Sequence, residues 1–74
     1  MKISVKCYAT LARFAPEGGV FEAPEGTTAG QLVQALGLAP GDVKILFVNN
    51  AHADPERILA DGDRVGLFPA IGGG

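Results

Sequence analysis

The 74-residue sequence holds a single cysteine, Cys7, and a single histidine, His52. One thiol excludes an internal disulfide, a cysteine-ligated zinc site and an iron–sulfur cluster held by the usual four thiolates, so stability must come from packing. One Cys and one His also leave too little to assemble a Cys–His or Ser–His–Asp nucleophile. Neither a Walker-type phosphate loop nor a Gly-x-Gly-x-x-Gly opening a helix is present. Six Lys plus Arg against eight Asp plus Glu give a net charge of −2, with no basic stretch to track phosphates, which argues against a nucleic-acid partner. No apolar run approaches the roughly 18–20 residues that span a bilayer. Lys2, Ser4 and Lys6 interrupt the first apolar positions, so the start lacks the apolar segment of a signal peptide. A cytoplasmic protein with no membrane or nucleic-acid partner is expected.

What is present suits one domain over residues 1–74. A chain this short buries only about 60% of the surface that its unfolded form exposes. A ligand pocket of about 300–1,000 Å³ would be large beside so small a core. A carrier or binding module therefore fits better than an enzyme.

Ile3, Val5 and Cys7 alternate with Lys2, Ser4, Lys6 and Tyr8, the period of a strand over 2–8. Leu11 and Phe14 suit one helical turn or an ordered loop over 9–15, and Pro16 with Gly18-Gly19 forces a turn. A second strand over 20–24, ended by Pro24-Glu25-Gly26, pairs antiparallel with the first. Thr28 and Gln31 form a capping box and Gly37 supplies a left-handed stop, which predicts a helix over 29–36. Its Ala29, Leu32, Val33 and Leu36 make one apolar stripe to lie on a sheet, weakened locally by Gly30. Lys44 to Val48 reads as a buried strand, Asn49-Asn50 as a tight turn and 51–53 as a short returning strand. Asp54-Pro55 breaks the pattern, and Ile58 and Leu59 are expected to return to the core. Asp61-Gly62-Asp63 turns the chain into a last strand over 64–68, with Val65 and Leu67 inward and Arg64, Gly66 and Phe68 outward. The fold class is α+β: a mixed four- to five-stranded sheet with one main helix packed on one face.

The sequence ends on Gly72-Gly73-Gly74. Such residues add nothing to a core, but without a Cβ they can lie extended in a narrow channel and carry a terminal carbonyl to another protein's active site. A free carboxylate is a poor acyl donor and needs activation, which nothing in this chain supplies. A partner enzyme is required.

The run Leu59-Ala60-Asp61-Gly62-Asp63-Arg64-Val65, then Phe68-Pro69-Ala70-Ile71-Gly72-Gly73-Gly74, resembles the end of the MoaD/ThiS family of ubiquitin-like sulfur carriers. Tyr8 through Phe14, Pro24-Glu25-Gly26-Thr27-Thr28 and Val48-Asn49-Asn50 are similar to family segments too, and the resemblance covers essentially the whole chain. It implies a ubiquitin-like β-grasp fold. It also implies a mechanism in which the Gly74 carboxylate is adenylated by an E1-like enzyme and converted to a thiocarboxylate that donates sulfur in cofactor biosynthesis. ATP and Mg²⁺ would belong to that enzyme, with no cofactor bound by this chain. Gly73 would keep the tail thin, and Gly72 stands where molybdopterin relatives usually carry Ala or Ser. Phe68-Pro69 before the tail favours the small subunit of molybdopterin synthase, beside a larger catalytic subunit, over the thiamine carrier. Carriers for other sulfur metabolites, and a ubiquitin-like modifier joined to lysine, share these features.

The predicted register sets Tyr8, Phe47 and Phe68 on the sheet face away from the helix, with Ile45 nearby. Exposed apolar patches mark interaction sites. Phe47 belongs to that face or, if its strand is buried on both sides, to the core. The resemblance assigns Tyr8 and Phe68 to contact with the activating enzyme and aligns His52 with a further contact position; Pro69, Ile71 and Gly72 complete the expected partner-binding set. No metal site is expected, because His52 lacks companion ligands and reads as a solvated or interface residue. Cys7 reads as a small core hydrophobe, and Asp61 and Asp63 as turn formers.

Overall fold

The computed structural model describes residues 1–70; Ile71, Gly72, Gly73 and Gly74 lie outside the described residues. Strand β1, Lys2–Cys7, follows its alternation, with Ile3 and Val5 buried and Lys2, Ser4 and Lys6 exposed. A 3₁₀ turn over Ala9–Phe14 follows and buries Leu11. Gly18 and Gly19, at φ 70° and 72°, then reverse the chain into β2, Val20–Glu22, which lies antiparallel to β1 with Phe21 opposite Ile3.

Helix α1 spans Ala29–Ala35 and starts on the expected capping box. The Gln31 N–H donates to Thr28 Oγ1 at 3.2 Å, and the Thr28 N–H donates to Gln31 Oε1 at 2.9 Å. Two further N–H groups of the first turn are satisfied from a distant loop, Ala29 by the Arg57 carbonyl and Gly30 by the Pro55 carbonyl, both at 2.8 Å. A Cβ on Gly30 would sit 3.1 Å from Pro55 Cβ and 3.2 Å from the Pro55 oxygen. Glycine here lets that loop close onto the helix start, a packing role beyond the local weakening expected of it. Ala29, Leu32 and Val33 are buried and Leu36 half-buried, so the stripe faces the sheet.

A 3₁₀ turn over Pro40–Asp42 leads into β3, Val43–Val48, which is joined to β4, Ala51–His52, by Asn49 and Asn50 at φ 54° and 68°. Strand β5, Arg64–Pro69, ends the described fold. Among the described residues the sheet has five strands in the order β2-β1-β5-β3-β4. The β1–β5 pair is parallel and the others are antiparallel. The central strand is therefore the last one. Ile3, Val5, Leu32, Val48 and Leu67 are the largest fully buried side chains, each stabilising the fold by about 1.5–3 kcal/mol through burial.

One expected core residue is not in the core. Leu59 is 3% exposed, but Ile58 is 65% exposed. The segment is extended here: Thr28 and Ile58 form a β-bridge, and the Leu59 N–H donates to the Thr27 carbonyl at 2.9 Å. Neighbouring side chains in an extended segment point to opposite sides, so the two cannot both turn inward.

Candidate functional site

Pairing brings the predicted face together. Cys7 pairs with Leu67, and the Tyr8 N–H continues the ladder by donating to the Leu67 carbonyl at 3.0 Å. That bond carries Tyr8 alongside Phe68, and their rings stack at 4.3 Å with 2° between planes. Phe47 meets the edge of Phe68 at 5.6 Å and 84°, and His52 tilts against Phe47 at 4.6 Å and 55°. Such aromatic pairs add about 0.5–1.5 kcal/mol each beyond area burial. The open alternative for Phe47 is resolved: it is half-buried on the face opposite α1, while its neighbours Leu46 and Val48 are buried beneath. Ile45, paired with Phe68 in the register, is half-buried beside them. Tyr8 is 40% exposed.

Pro69 departs from the expected contact set. It is buried, opposite Val43, at the end of β5. Alternation along the strand sends Leu67 and Pro69 inward and Phe68 outward, so Pro69 anchors the strand end and offers no exposed surface. Ile71, Gly72, Gly73 and Gly74 lie outside the described residues, though β5 leads into them.

The turn before β5 is more than the pair of turn formers expected. The Asp63 carboxylate is buried and accepts from the Ala60 N–H at 2.8 Å and the Asn49 side-chain amide at 3.0 Å. Asn49 Oδ1 in turn accepts from the Arg64 N–H at 3.0 Å, and the Asn49 N–H donates to the Arg64 carbonyl at 2.7 Å. The Ala60 and Asn49 donors hold the Asp63 carboxyl below the usual range. Asp61 Oδ1 accepts from the Lys2 N–H at 2.7 Å. Together the two aspartates tie the entry of β5 to β1 and to the β3–β4 turn. The signal available in the sequence was only Asp-Gly-Asp, which predicts the turn without its distant partner. Burial pushes the Cys7 thiol pKa up, disfavouring the nucleophilic thiolate.

Among the described residues, concavities lie on both sides of the sheet. One of about 580 Å³ lies between α1 and the β3–β4 side and carries both signs of charge, from Lys44 to Asp54 and Glu56. The smaller, about 450 Å³, lies on the aromatic face at Tyr8, Phe47 and Phe68. The smaller one is lined along β5 by Arg64, Val65, Gly66 and Phe68. Among the described residues, no group of three His, Cys, Asp or Glu is gathered to hold a metal, and no helix is long and apolar enough to cross a membrane.

A mixed sheet in the order β2-β1-β5-β3-β4, with one helix across one face and an aromatic patch on the other, is the ubiquitin-like β-grasp arrangement. Residues 5–74 match the model of the ThiS family, and the chain belongs to that family of ubiquitin-like sulfur carriers. A Pyrococcus furiosus protein described as molybdopterin converting factor subunit 1 is 27% identical, with a TM-score of 0.75 over 96% of this chain and 99% of that one. Small archaeal modifier protein 1 from H. volcanii shares the fold at 22% identity and TM-score 0.73, covering 95% of this chain and 98% of its own. The Helicobacter pylori complex of subunits 1 and 2 of molybdopterin-converting factor contains a similar chain, 21% identical with a TM-score of 0.61 and 100% coverage of both chains. A search of curated proteins finds no match.

Proposed function

We infer that the protein carries sulfur for molybdopterin synthesis as a thiocarboxylate on Gly74, made by an E1-like partner that first adenylates the glycine carboxylate with ATP and Mg²⁺. The chain itself is not an enzyme on this reading. It presents an acyl group and a docking face, and serves beside a larger molybdopterin synthase subunit. The observation that carries the reading is the position of the aromatic face: Phe68, the residue at its centre, stands next to the end of β5 and only four residues before Gly72-Gly73-Gly74 in the sequence. Docking there would aim the tail at a partner's active site, and the absence of side chains beyond Ile71 would let it thread. Phe68-Pro69 and the 27% identity to a molybdopterin converting factor subunit support this product over thiamine.

The test is intact mass spectrometry after incubation with an E1-like enzyme, ATP, Mg²⁺, a persulfide source and a thiol reductant: the persulfide displaces AMP from the acyl adenylate, and the thiol cleaves the resulting acyl disulfide to the thiocarboxylate while itself being oxidised to a disulfide. Exchange of one terminal oxygen for one sulfur is the expected outcome, followed by loss of that sulfur when the large synthase subunit and its pterin precursor are added. Attachment of Gly74 to lysine in place of oxygen–sulfur exchange would make the protein a modifier and overturn the carrier reading.

A further inference from the structure

The smaller concavity has a feature that the aromatic rings alone do not explain. Its floor is Gly66, the outward position of β5 two residues before Phe68. A Cβ placed there would lie 3.7 Å from Tyr8 Cε2, 3.8 Å from Phe47 Cβ and 3.9 Å from Phe68 Cε2. These are ordinary contact distances, so the backbone does not require glycine on steric grounds, and the φ of Gly66 is not among the positive ones. Glycine in a strand interior is otherwise costly, and a gap at the sheet centre is where another chain approaches closely. Gly66 and the three rings beside it line a socket of about 450 Å³.

The rim carries charge of one sign. Lys6 and Arg64, both exposed, line the socket, and among the described residues no Asp or Glu side chain does. In a chain of net charge −2 this is a local inversion. We propose that Gly66 receives one apolar side chain projecting from the activating enzyme, and that carboxylates beside that side chain on the enzyme pair with Lys6 and Arg64. The proposal rests on the carrier reading and adds the chemistry of the partner surface. A second copy of this chain fits the socket poorly, because an isologous contact would set Lys6 and Arg64 of one molecule against the same cations of the other. Opposite charge around an apolar anchor fixes register and speeds encounter.

The experiment measures binding of the E1-like enzyme to the parent, to Gly66→Ala, Gly66→Val, Lys6→Glu and Arg64→Glu, and to Lys44→Glu as a control on the other side of the sheet. Filling the socket with valine is expected to weaken binding about tenfold or more, with alanine intermediate. Each rim reversal is expected to slow association about tenfold at low salt, the difference from the parent shrinking as salt is raised. Lys44→Glu makes the same change in net charge and is expected to bind as the parent does. Should Gly66→Val fail to fold by circular dichroism, Gly66→Ala and the rim variants still decide the matter. Full affinity in both, or an equal loss in Lys44→Glu, overturns the proposal. So does a parent dimer in sedimentation that Gly66→Ala dissolves. A parent that the enzyme never adenylates overturns the carrier reading and this inference together, whereas an active parent with indifferent variants overturns this inference alone.

Discussion

At the scale of single residues, buried polar contacts and close approaches matter more than type. Asp63 is the clearest case. Its folded-state pKa is depressed, chiefly by the Ala60 N–H and then by the Asn49 amide. The ionised form is therefore favoured by folding, and the resulting stability is present above the unfolded carboxylate value of about 3.9 and lost as pH falls through the folded value. Asp63→Asn keeps one oxygen acceptor but sets its amide donor against one of the two donors, Ala60 N–H or the Asn49 amide, so it is expected to cost about 1–3 kcal/mol at neutral pH. Its denaturant midpoint should also fall less steeply than the parent's below about pH 4. Gly30 is the second case. Alanine in a helix normally improves on glycine by about 1 kcal/mol, but here its Cβ would press on Pro55 and the carbonyl that bonds Gly30 N–H. Gly30→Ala should lower the melting temperature, and a rise would show that the 55–57 loop yields freely.

At the scale of elements, the two asparagines of the β3–β4 turn look alike in sequence and should respond oppositely to the same change. Both hold positive φ. Asn49 also bridges Asp63 and Arg64, so Asn49→Gly forfeits those bonds and should cost about 1 kcal/mol. Asn50 is exposed and none of the side-chain hydrogen bonds among the described residues involves it. Asn50→Gly should therefore be neutral or stabilising by up to about 0.5 kcal/mol, glycine relieving the left-handed strain at some entropic cost. Chemical denaturation of the two variants checks the contrast. Much of this level was legible beforehand. The α1 capping box and its Gly37 stop, the Asn-Asn turn and the alternation of β1 and β5 are local patterns whose causes sit within a few residues. The outward turn of Ile58 is not legible in the sequence, because Ile-Leu in an extended segment gives no local sign of which residue turns inward.

At the scale of the whole molecule, adjacent residues of the central strand serve different ends. Leu67 is fully buried under α1's side of the sheet and Phe68 stands on the opposite face. Leu67→Ala should cost about 2–5 kcal/mol, a large part of the roughly 4–11 kcal/mol expected of a chain this size. Phe68→Ala or Tyr8→Ala should leave most of that stability and instead weaken binding to the activating enzyme, measured by calorimetry beside a melting curve. Unchanged affinity in both would remove the aromatic face from the docking surface. Composition, the period of each element and the glycine end were determined by the sequence alone, because each depends on residue type and short spacing. Insertion of β5 between β1 and β3 was decided by the tertiary structure, and with it the stacking of Tyr8 on Phe68, the burial of Pro69 and the Asp63–Asn49 link. Those contacts join segments far apart along the chain, and which strands become neighbours depends on how the whole apolar surface is best covered, a condition no single segment carries.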